Sequence, residues 1–487
     1  MNARFVRFSR QTLIGAISTV LGYARWLLVM PLLTRGFGAE GYGIWVQLFI
    51  GAELLAGVAG LGLNFALLRY VPTRSNARQG AADLWSSILV CWAASLPLIG
   101  LGLVMDEWLA RTFLGGSTQA FAVRLALILI PISGSLNLVF SYLRAARQAA
   151  THTILIGVET GGWLVLAAAV LYLGDGLRTM IVGLLTVRGL TLVAGAVIVL
   201  WRSGISRPQI TKIAPSLRYG LPLLPLGILH WVINASDRYF LAYFCEPEMV
   251  GIYSVSYSLG SIAGLAYAPI FFVLIPATSA AWNAGKSTEV LEYLRFAQKY
   301  PFLLVVPGIL LLTGYAKQTI EVVATSQFAA TPALIACVAT AIVIMNIGAI
   351  VQTTLNVADF TRRILAISVA AALFNVVANA VAVPSYGAMG AAVATLLTYA
   401  LQATATHMMS RSILSFPWAW LHMAKVLLAA VPLLLALSFG TRQPSLQPLP
   451  AIGGGLAYIG ILIACGVFER REWQLVRAVL GRGQQVQ

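Results

Sequence analysis

The chain has 487 residues, of which 59% are hydrophobic and only 10% are charged. A soluble globular domain carries about 25% charged residues, so this composition excludes an ordinary soluble protein and indicates a membrane protein. The formal net charge of +16 would suggest nucleic-acid binding in a soluble chain. Here most of the excess lies in short loops between apolar segments, where Lys and Arg face anionic lipid headgroups, so nucleic acid is not an expected partner.

Fourteen apolar segments follow one another along the chain, and each reaches or nearly reaches the length of about 20 residues that a helix needs to cross a bilayer. They predict transmembrane helices at residues 12–34, 42–68, 84–104, 122–143, 153–173, 179–201, 217–244, 250–281, 301–320, 331–356, 363–384, 387–410, 422–440 and 449–468. The predicted fold class is all-α, a polytopic membrane protein.

The positive charge of the connecting loops alternates along the chain. Of the 32 Lys and Arg residues, 23 lie on one side of the predicted helices, seven lie on the other side, and two fall inside predicted helices. Cytoplasmic loops carry the excess of Lys and Arg, so both termini are predicted to be cytoplasmic. The same rule places 202–215 and 286–299 in the cytoplasm, and 105–120 and 246–249 outside.

A weak repeat with an offset of about 208 residues relates two parts of the chain: EGYGIW at 40–45 recurs as EMVGIY at 248–253. Parallel repeats of this kind build transporters with a substrate site between the halves. The predicted organisation has an N-terminal six-helix lobe, a cytoplasmic linker, a C-terminal six-helix lobe, helices 13 and 14, and an interfacial tail, at residues 1–201, 202–216, 217–411, 412–468 and 469–487. The apolar stripe of segment 286–300 predicts a second interfacial helix.

Arg25, Glu53, Glu159 and Arg188 lie deep within the predicted helices, and Asp237 and Arg238 lie toward the outer end of the helix at 217–244. These six are the candidate site residues. A charge at the bilayer centre costs about 2.5–3.5 kcal/mol, so such groups usually face a cavity and mark a pathway. The other interpretation is pairing, Arg25 with Glu53 and Arg188 with Glu159, to hold one lobe together. The sequence leaves both interpretations open.

Enzyme and metal-site motifs are missing from the sequence. The segment GKS at 285–287 resembles the end of a phosphate-binding loop, but position 280 is Ala where that motif needs Gly. The spacing of the four cysteines predicts neither a disulfide framework nor a metal cluster; they are Cys91, Cys245, Cys337 and Cys465. The expectation is a protein without cofactor, metal or enzymatic activity.

Several segments together resemble the Wzx-type polysaccharide flippases, the polysaccharide-transport branch of the multidrug/oligosaccharidyl-lipid/polysaccharide flippase superfamily. They are LGL at 61–63 with LRYV at 68–71, YGLPL at 219–223, DRY at 237–239, VGIYS at 250–254, and YGAMGAA at 386–392 with AT at 394–395. LGYAR at 21–25 is also similar to the related lipid II flippases, where an arginine at that place serves the lumen.

The resemblance implies two six-helix lobes in a V around a cationic cavity. It also implies a substrate of oligosaccharide on undecaprenyl pyrophosphate, moved by alternating access to the outer leaflet of a bacterial inner membrane for lipopolysaccharide or exopolysaccharide synthesis. Arg25 and Arg188, with Asp237 and Arg238, are then the expected substrate-binding residues. Glu53 and Glu159 are expected either to couple transport to an ion or to form structural ion pairs.

The expected partners are the lipid-linked oligosaccharide, membrane lipids, a polysaccharide polymerase and a chain-length regulator. Two alternatives remain. A drug or cation antiporter of the same superfamily would show acidic coupling sites and few cations in its cavity. A membrane polymerase or ligase would need a large outer loop with catalytic residues, and the longest outer connection here is 105–121.

Overall fold

The computed structural model describes residues 3–173, 176–329, 331–440 and 448–467. Throughout these ranges every regular element is a helix, which confirms the predicted all-α class. The α-helices are α1 (Ala3–Ala59), α2 (Leu63–Tyr70), α3 (Ala77–Val104), α4 (Asp106–Phe113), α5 (Ala120–Leu127), α6 (Leu129–Ala145), α7 (Ala149–Leu173), α8 (Gly176–Ser203), α9 (Ala214–Gly220), α10 (Leu224–Phe244), α11 (Pro247–Ser261), α12 (Ala268–Asn283), α13 (Ser287–Gly314), α14 (Ala316–Val323), α15 (Pro332–Val357), α16 (Thr361–Ser410), α17 (Trp420–Gly440) and α18 (Pro448–Ala464).

Within the described residues, 10 helical segments are long and apolar enough to cross a membrane. Two of them, Arg25–Ala59 and Thr361–Ser410, each contain a glycine with a left-handed backbone, at Gly38 (φ 67°) and Gly387 (φ 52°). Both breaks lie where the sequence predicts the boundary between two consecutive spans. The protein is therefore a multi-pass membrane protein, and the number of fourteen spans stays a prediction.

Two parts of the chain depart from the predicted elements. The single span predicted at 250–281 is two helices, because α11 ends at Ser261 and a 3₁₀ turn (Ile262–Ala266) separates it from α12. Pro269 lies in the first turn of α12, where a proline starts a helix more readily than it continues one.

The helix predicted to lie in the membrane interface at 286–300 is instead the first half of α13, which continues through the span predicted at 301–320. Its apolar stripe, Val290, Leu294 and Ala297, is buried in a hydrophobic core with Tyr267 and Ile350. The prediction of a surface anchor is wrong, because protein rather than lipid covers this stripe. The tail predicted at 469–487 lies outside the described residues.

The chain divides into two compact units. Unit 1 comprises Met1–Ser258, Lys317–Ala330 and Leu365–Thr398, and unit 2 comprises Leu259–Ala316, Thr331–Ile364 and Tyr399–Gln487. In unit 1 the ends of α2, α3, α6 and α8 share a core that contains Leu63, Leu84, Tyr142 and Val199. In unit 2 one core joins α12, α13 and α15, and a second joins α13, α17 and α18. The predicted lobes at 1–201 and 217–411 remain a prediction.

The repeated motif brings its two copies into direct contact inside unit 1. Gly43 and Gly251 occupy equivalent places in the repeat, and a Cβ atom on Gly43 would lie 2.0 Å from the carbonyl oxygen of Pro247. A Cβ atom on Gly251 would lie 2.1 Å from the carbonyl oxygen of Ala39. Only glycine lets the backbones of α1 and α11 approach this closely.

Candidate functional site

Four intramembrane charges predicted from the sequence meet in one cluster, built by α1, α7 and α8. Arg25 Nη1 lies 3.0 Å from Glu159 Oε2, and Arg188 Nε lies 3.5 Å from Glu159 Oε1. Arg188 Nη1 also donates hydrogen bonds to Glu53 Oε1 and to the hydroxyl of Ser133 on α6. Glu159 therefore lies between both arginines, and Arg188 lies between both glutamates.

The pairing differs from one of the two predicted pairs. Arg188 does pair with Glu159, but Arg25 pairs with Glu159 where the sequence predicted Glu53. Extensive packing of α7 along α1 turns Arg25 toward α7, and Arg188 from α8 takes the carboxylate of Glu53.

Aromatic rings surround the two arginines. The guanidinium carbon of Arg25 lies 5.5 Å from the centroid of the Trp163 ring, and that of Arg188 lies 5.3 Å from Phe49. Phe49 and Trp163 contact each other edge to face at 5.4 Å. Cation–π attraction adds to the ion pairs of these largely buried arginines, each of which loses most of its hydration.

The members of the cluster differ in their exposure. The side chains of Arg188 and Glu159 are 7% and 5% exposed, whereas that of Glu53 is 30% exposed. Glu53 also lines the adjacent cavity. It is thus the carboxylate through which the buried cluster reaches the cavity.

The cavity has a volume of about 440 Å³ and lies entirely within unit 1, in the size range of small-molecule sites. Its polar lining comes from Glu53, Asn64, Asn137, Ser141, Arg144 and His152, and its aromatic lining from Phe65, Phe140 and Trp231. A surface of amides, a hydroxyl, one arginine and aromatic faces suits a polar, sugar-like ligand that carries negative charge.

Arg144 lines the cavity, although the sequence predicts it to be a loop cation. Arg144 lies in the last turn of α6 and lines the cavity with Gly134, Asn137 and Ser141. Their spacing of three and four residues is one face of a helix, so a polar stripe on an otherwise apolar span was the signal in the sequence.

Backbone contacts between helices flank the cavity-lining part of α1 and the turn after it. The Gly43–Gly251 contact precedes Glu53, and Gly62 contacts Gly220 beyond it, where a Cβ atom on Gly62 would lie 2.2 Å from the carbonyl oxygen of Gly220. The two contacts therefore lie on either side of Glu53 along the chain, and Gly62 itself lines the cavity.

The remaining two predicted site residues, Asp237 and Arg238, lie in α10 and form contacts with each other and with side chains outside the cluster of Arg25, Glu159 and Arg188. Asp237 Oδ2 accepts a hydrogen bond from the hydroxyl of Tyr253 at 2.5 Å, and Asp237 Oδ1 lies 3.0 Å from Arg238 Nη1. The guanidinium carbon of Arg238 lies 4.4 Å from the centroid of the Tyr257 ring. The backbone carbonyl oxygen of Arg238 accepts a hydrogen bond from Gln47 Nε2 at 2.6 Å. Neither residue is among those that line the cavity in the described part of the chain, so their predicted contact with substrate stays a prediction.

The sequence matches one protein family and is similar to two proteins named as probable flippases. A family model described as "Polysaccharide biosynthesis protein" matches residues 8–282. The chain is 22% identical over 398 residues to a probable low-salt glycan biosynthesis flippase, Agl15, of Haloferax volcanii, covering 79% of each chain. It is 20% identical over 493 residues to a probable flippase, AglR, of the same archaeon, covering 97% of this chain and 96% of the relative.

Solved structures share the fold. The lipid II flippase MurJ in an inward closed conformation superposes with a TM-score of 0.73 at 13% identity, covering 95% of this chain and 99% of that one. An inward-facing multidrug resistance MATE family transporter of the MOP superfamily gives a TM-score of 0.62 at 17% identity, covering 84% of this chain and 98% of that one. The resemblance predicted from the sequence is confirmed in its family and fold: the chain belongs to the polysaccharide biosynthesis protein family and shares the fold of these membrane transporters.

Proposed function

We propose that this protein is a flippase that moves oligosaccharide linked to undecaprenyl pyrophosphate from the cytoplasmic to the outer leaflet of a bacterial inner membrane. The exported units would serve lipopolysaccharide O-antigen or exopolysaccharide synthesis, with a polymerase and a chain-length regulator acting afterwards. The observation that carries the proposal is the cavity of about 440 Å³ with its amides, aromatic faces and single arginine. It would hold the sugar headgroup while the polyprenyl chain stays in lipid.

Arg144 is the residue that would meet the pyrophosphate in this cavity. Its guanidinium offers several N–H groups in a plane, which match the oxygens of a phosphate. Asn64, Asn137 and Ser141 supply donors and acceptors for sugar hydroxyls, and Trp231 offers a face on which a sugar ring can stack. The expected role of Asp237 and Arg238 becomes indirect, through the position of α10.

The buried cluster would act in a second step. Glu53 lies at the cavity wall and pairs with the buried Arg188 behind it, and a pyrophosphate that enters would replace the Glu53 carboxylate as the partner of Arg188. Arg188 then keeps an anionic partner, while the Glu53 carboxylate is released into the cavity. Arg25 would change position with Arg188, because both arginines pair with the carboxylate of Glu159. A proton or cation taken up at Glu53 or Glu159 would couple transport to an ion gradient.

The contacts on either side of the cavity-lining segment suggest how access alternates. By the charge rule, the Gly62–Gly220 contact faces the cytoplasm and the Gly43–Gly251 contact faces outside. Opening one while the other stays closed would give alternating access, with both termini in the cytoplasm.

Export by variants tests the proposal in a host whose own flippase gene is deleted. Replacing Arg144 by Ala should reduce polymer export by about 10- to 100-fold, since one charge-assisted hydrogen bond is worth about 1.5–3 kcal/mol. The matched control is Arg207→Ala, which removes a cation from an exposed loop and should leave export intact. Normal export by an Arg144→Ala protein present at the wild-type level would contradict the proposal.

A drug or cation antiporter is the second candidate, favoured by the partly exposed carboxylate of Glu53 at the cavity wall. For an antiporter, we expect the wild-type chain to confer resistance to cationic drugs and Glu53→Gln to remove that resistance. Expression of the chain would then leave the flippase-deleted host without exported polymer.

A further inference from the structure

Two glycines that line the cavity of unit 1 have no side chain although the fold leaves room for one. A Cβ atom on Gly57 or on Gly227 would meet nothing within 4 Å, and both residues line the cavity of about 440 Å³. Both lie inside helices, in α1 and α10, and neither has a positive φ angle. Neither close packing nor backbone conformation therefore requires glycine at these two positions.

Other glycines of the same cavity are explained by close packing. A Cβ atom on Gly62 would lie 2.2 Å from the carbonyl oxygen of Gly220, and one on Gly134 would lie 2.6 Å from the sulfur of Cys91. Glycine inside a helix is less stable than alanine, so Gly57 and Gly227 cost helix stability without a gain in packing. Their effect is to leave the wall of the cavity bare.

Helical spacing places both glycines beside side chains that would contact the headgroup. Gly57 lies one turn after Glu53 on α1, and Gly227 lies one turn before Trp231 on α10. Residues one turn apart share a helix face. Trp231 Nε1 donates a hydrogen bond to the carbonyl oxygen of Ile50 at 3.3 Å, which holds the indole at the cavity wall. A sugar ring that stacks on this indole can extend over the bare backbone at Gly227.

The two bare positions lie in the same stretch of the cavity, because the chain segments that carry them run antiparallel. The hydrogen bond between Trp231 and Ile50 lies on one side of both glycines, and the contact between Gly62 and Gly220 lies on the other side. Side chains at both positions would therefore narrow one stretch of the cavity from two walls.

We propose that Gly57 and Gly227 determine the size of the headgroup that the cavity admits, and that their missing side chains make room for an oligosaccharide of several rings rather than a single sugar. The inference rests on the proposed function, because it concerns the headgroup held in that cavity. A larger side chain at either glycine would exclude the additional rings by steric clash, while a single sugar would still fit.

The test compares two lipids in proteoliposomes that contain the purified full chain: undecaprenyl pyrophosphate with one sugar, and the same lipid with an oligosaccharide. A membrane-impermeant reagent that oxidises sugar diols reports how fast each lipid reaches the opposite leaflet. In Gly57→Leu and in Gly227→Leu, the ratio of the oligosaccharide rate to the single-sugar rate should fall about tenfold or more. Gly57→Ala stiffens the helix with little added bulk, so its ratio should fall less than that of Gly57→Leu.

Gly100→Leu is the matched control. Gly100 is an exposed glycine inside α3, its Cβ position is also open, and it is not among the described residues that line the cavity. This variant should keep the wild-type ratio. Melting in detergent checks that each variant is folded, and each leucine variant tests the inference by itself if the other fails to fold.

An unchanged ratio in the folded leucine variants would overturn the inference. An equal loss of both lipids would also overturn it, since the side chain would then block transport regardless of headgroup size. An alanine variant that matches leucine would assign the effect to helix stiffness instead of cavity width. A wild-type chain that moves neither lipid would contradict the proposed function itself, and the inference with it.

Discussion

The buried carboxylate of Glu159 lies within ion-pair distance of both Arg25 and Arg188, so its removal affects two arginines at once. Removing one partner of a buried pair strands the other and costs about 3–5 kcal/mol, whereas removing both can be close to neutral. This asymmetry allows the observed pairing to be distinguished from the one that the sequence predicted.

Glu159→Leu should abolish folding or lower the thermal midpoint strongly, because it leaves Arg25 without its ion-pair partner. The double variant Arg25→Leu with Glu159→Leu should recover much of the expression level, since Arg188 keeps Glu53. Expression and detergent melting measure both. The control pair is Arg25→Leu with Glu53→Leu, which removes residues that do not pair here and should show no recovery. Recovery in the control pair alone would restore the pairing predicted from the sequence.

How far the sequence predicted the site also differs from residue to residue. Hydropathy places Arg25, Glu53, Glu159 and Arg188 at membrane depth, and their cost in lipid predicts that they cluster. Partner choice depends on which helix faces are turned together, and that is decided by packing along the whole length of α1 and α7. Arg144 was missed because a cation near the end of a span looks like a loop residue.

The length and hydropathy of the apolar segments predicted some helices well and the junctions between helices poorly. Long apolar runs predicted the positions of α3, α7, α8 and α15 closely, because length and hydropathy alone define a spanning helix. The break between α11 and α12 and the burial of the first half of α13 were not predicted. The break coincides with Pro269 in the first turn of α12, and the burial arises from tertiary packing inside unit 2. Mean hydropathy reports neither of these effects.

The glycine contact between α1 and α11 supplies the element-scale prediction. Gly43→Val places a side chain where the Pro247 carbonyl oxygen now lies 2.0 Å from a Cβ position, so the helices must separate. Overpacking of this kind costs about 1–3 kcal/mol, and it should lower the thermal midpoint and reduce export. Gly100→Ala is the control, because a Cβ atom there meets nothing within 4 Å. A Gly43→Val protein with wild-type melting and export would show that this contact is dispensable.

The topology predicted for the whole molecule rests on the charge of the loops, and labelling tests it. In a variant with the four native cysteines replaced, a cysteine at position 207 should resist a membrane-impermeant reagent added from outside, while one at position 116 should react. Both positions lie in segments between predicted spans, so the pair controls for reagent access. Labelling at 207 from outside would invert the orientation and with it the assignment of the two glycine contacts.

We propose that a lipid-linked saccharide crosses the membrane through the cavity of unit 1, and leaflet exchange in proteoliposomes measures this transport directly. Asn137→Trp places an indole in the cavity that Asn137 lines, and Leu96→Trp places the same indole at a position whose native side chain is 69% exposed. The measurement is the fraction of undecaprenyl-pyrophosphate-linked oligosaccharide that becomes accessible to an added glycosidase. The wild type and Leu96→Trp should move the lipid, and Asn137→Trp, folded with an unchanged melting profile, should not. Wild-type movement by Asn137→Trp would contradict the claim that the headgroup crosses through this cavity.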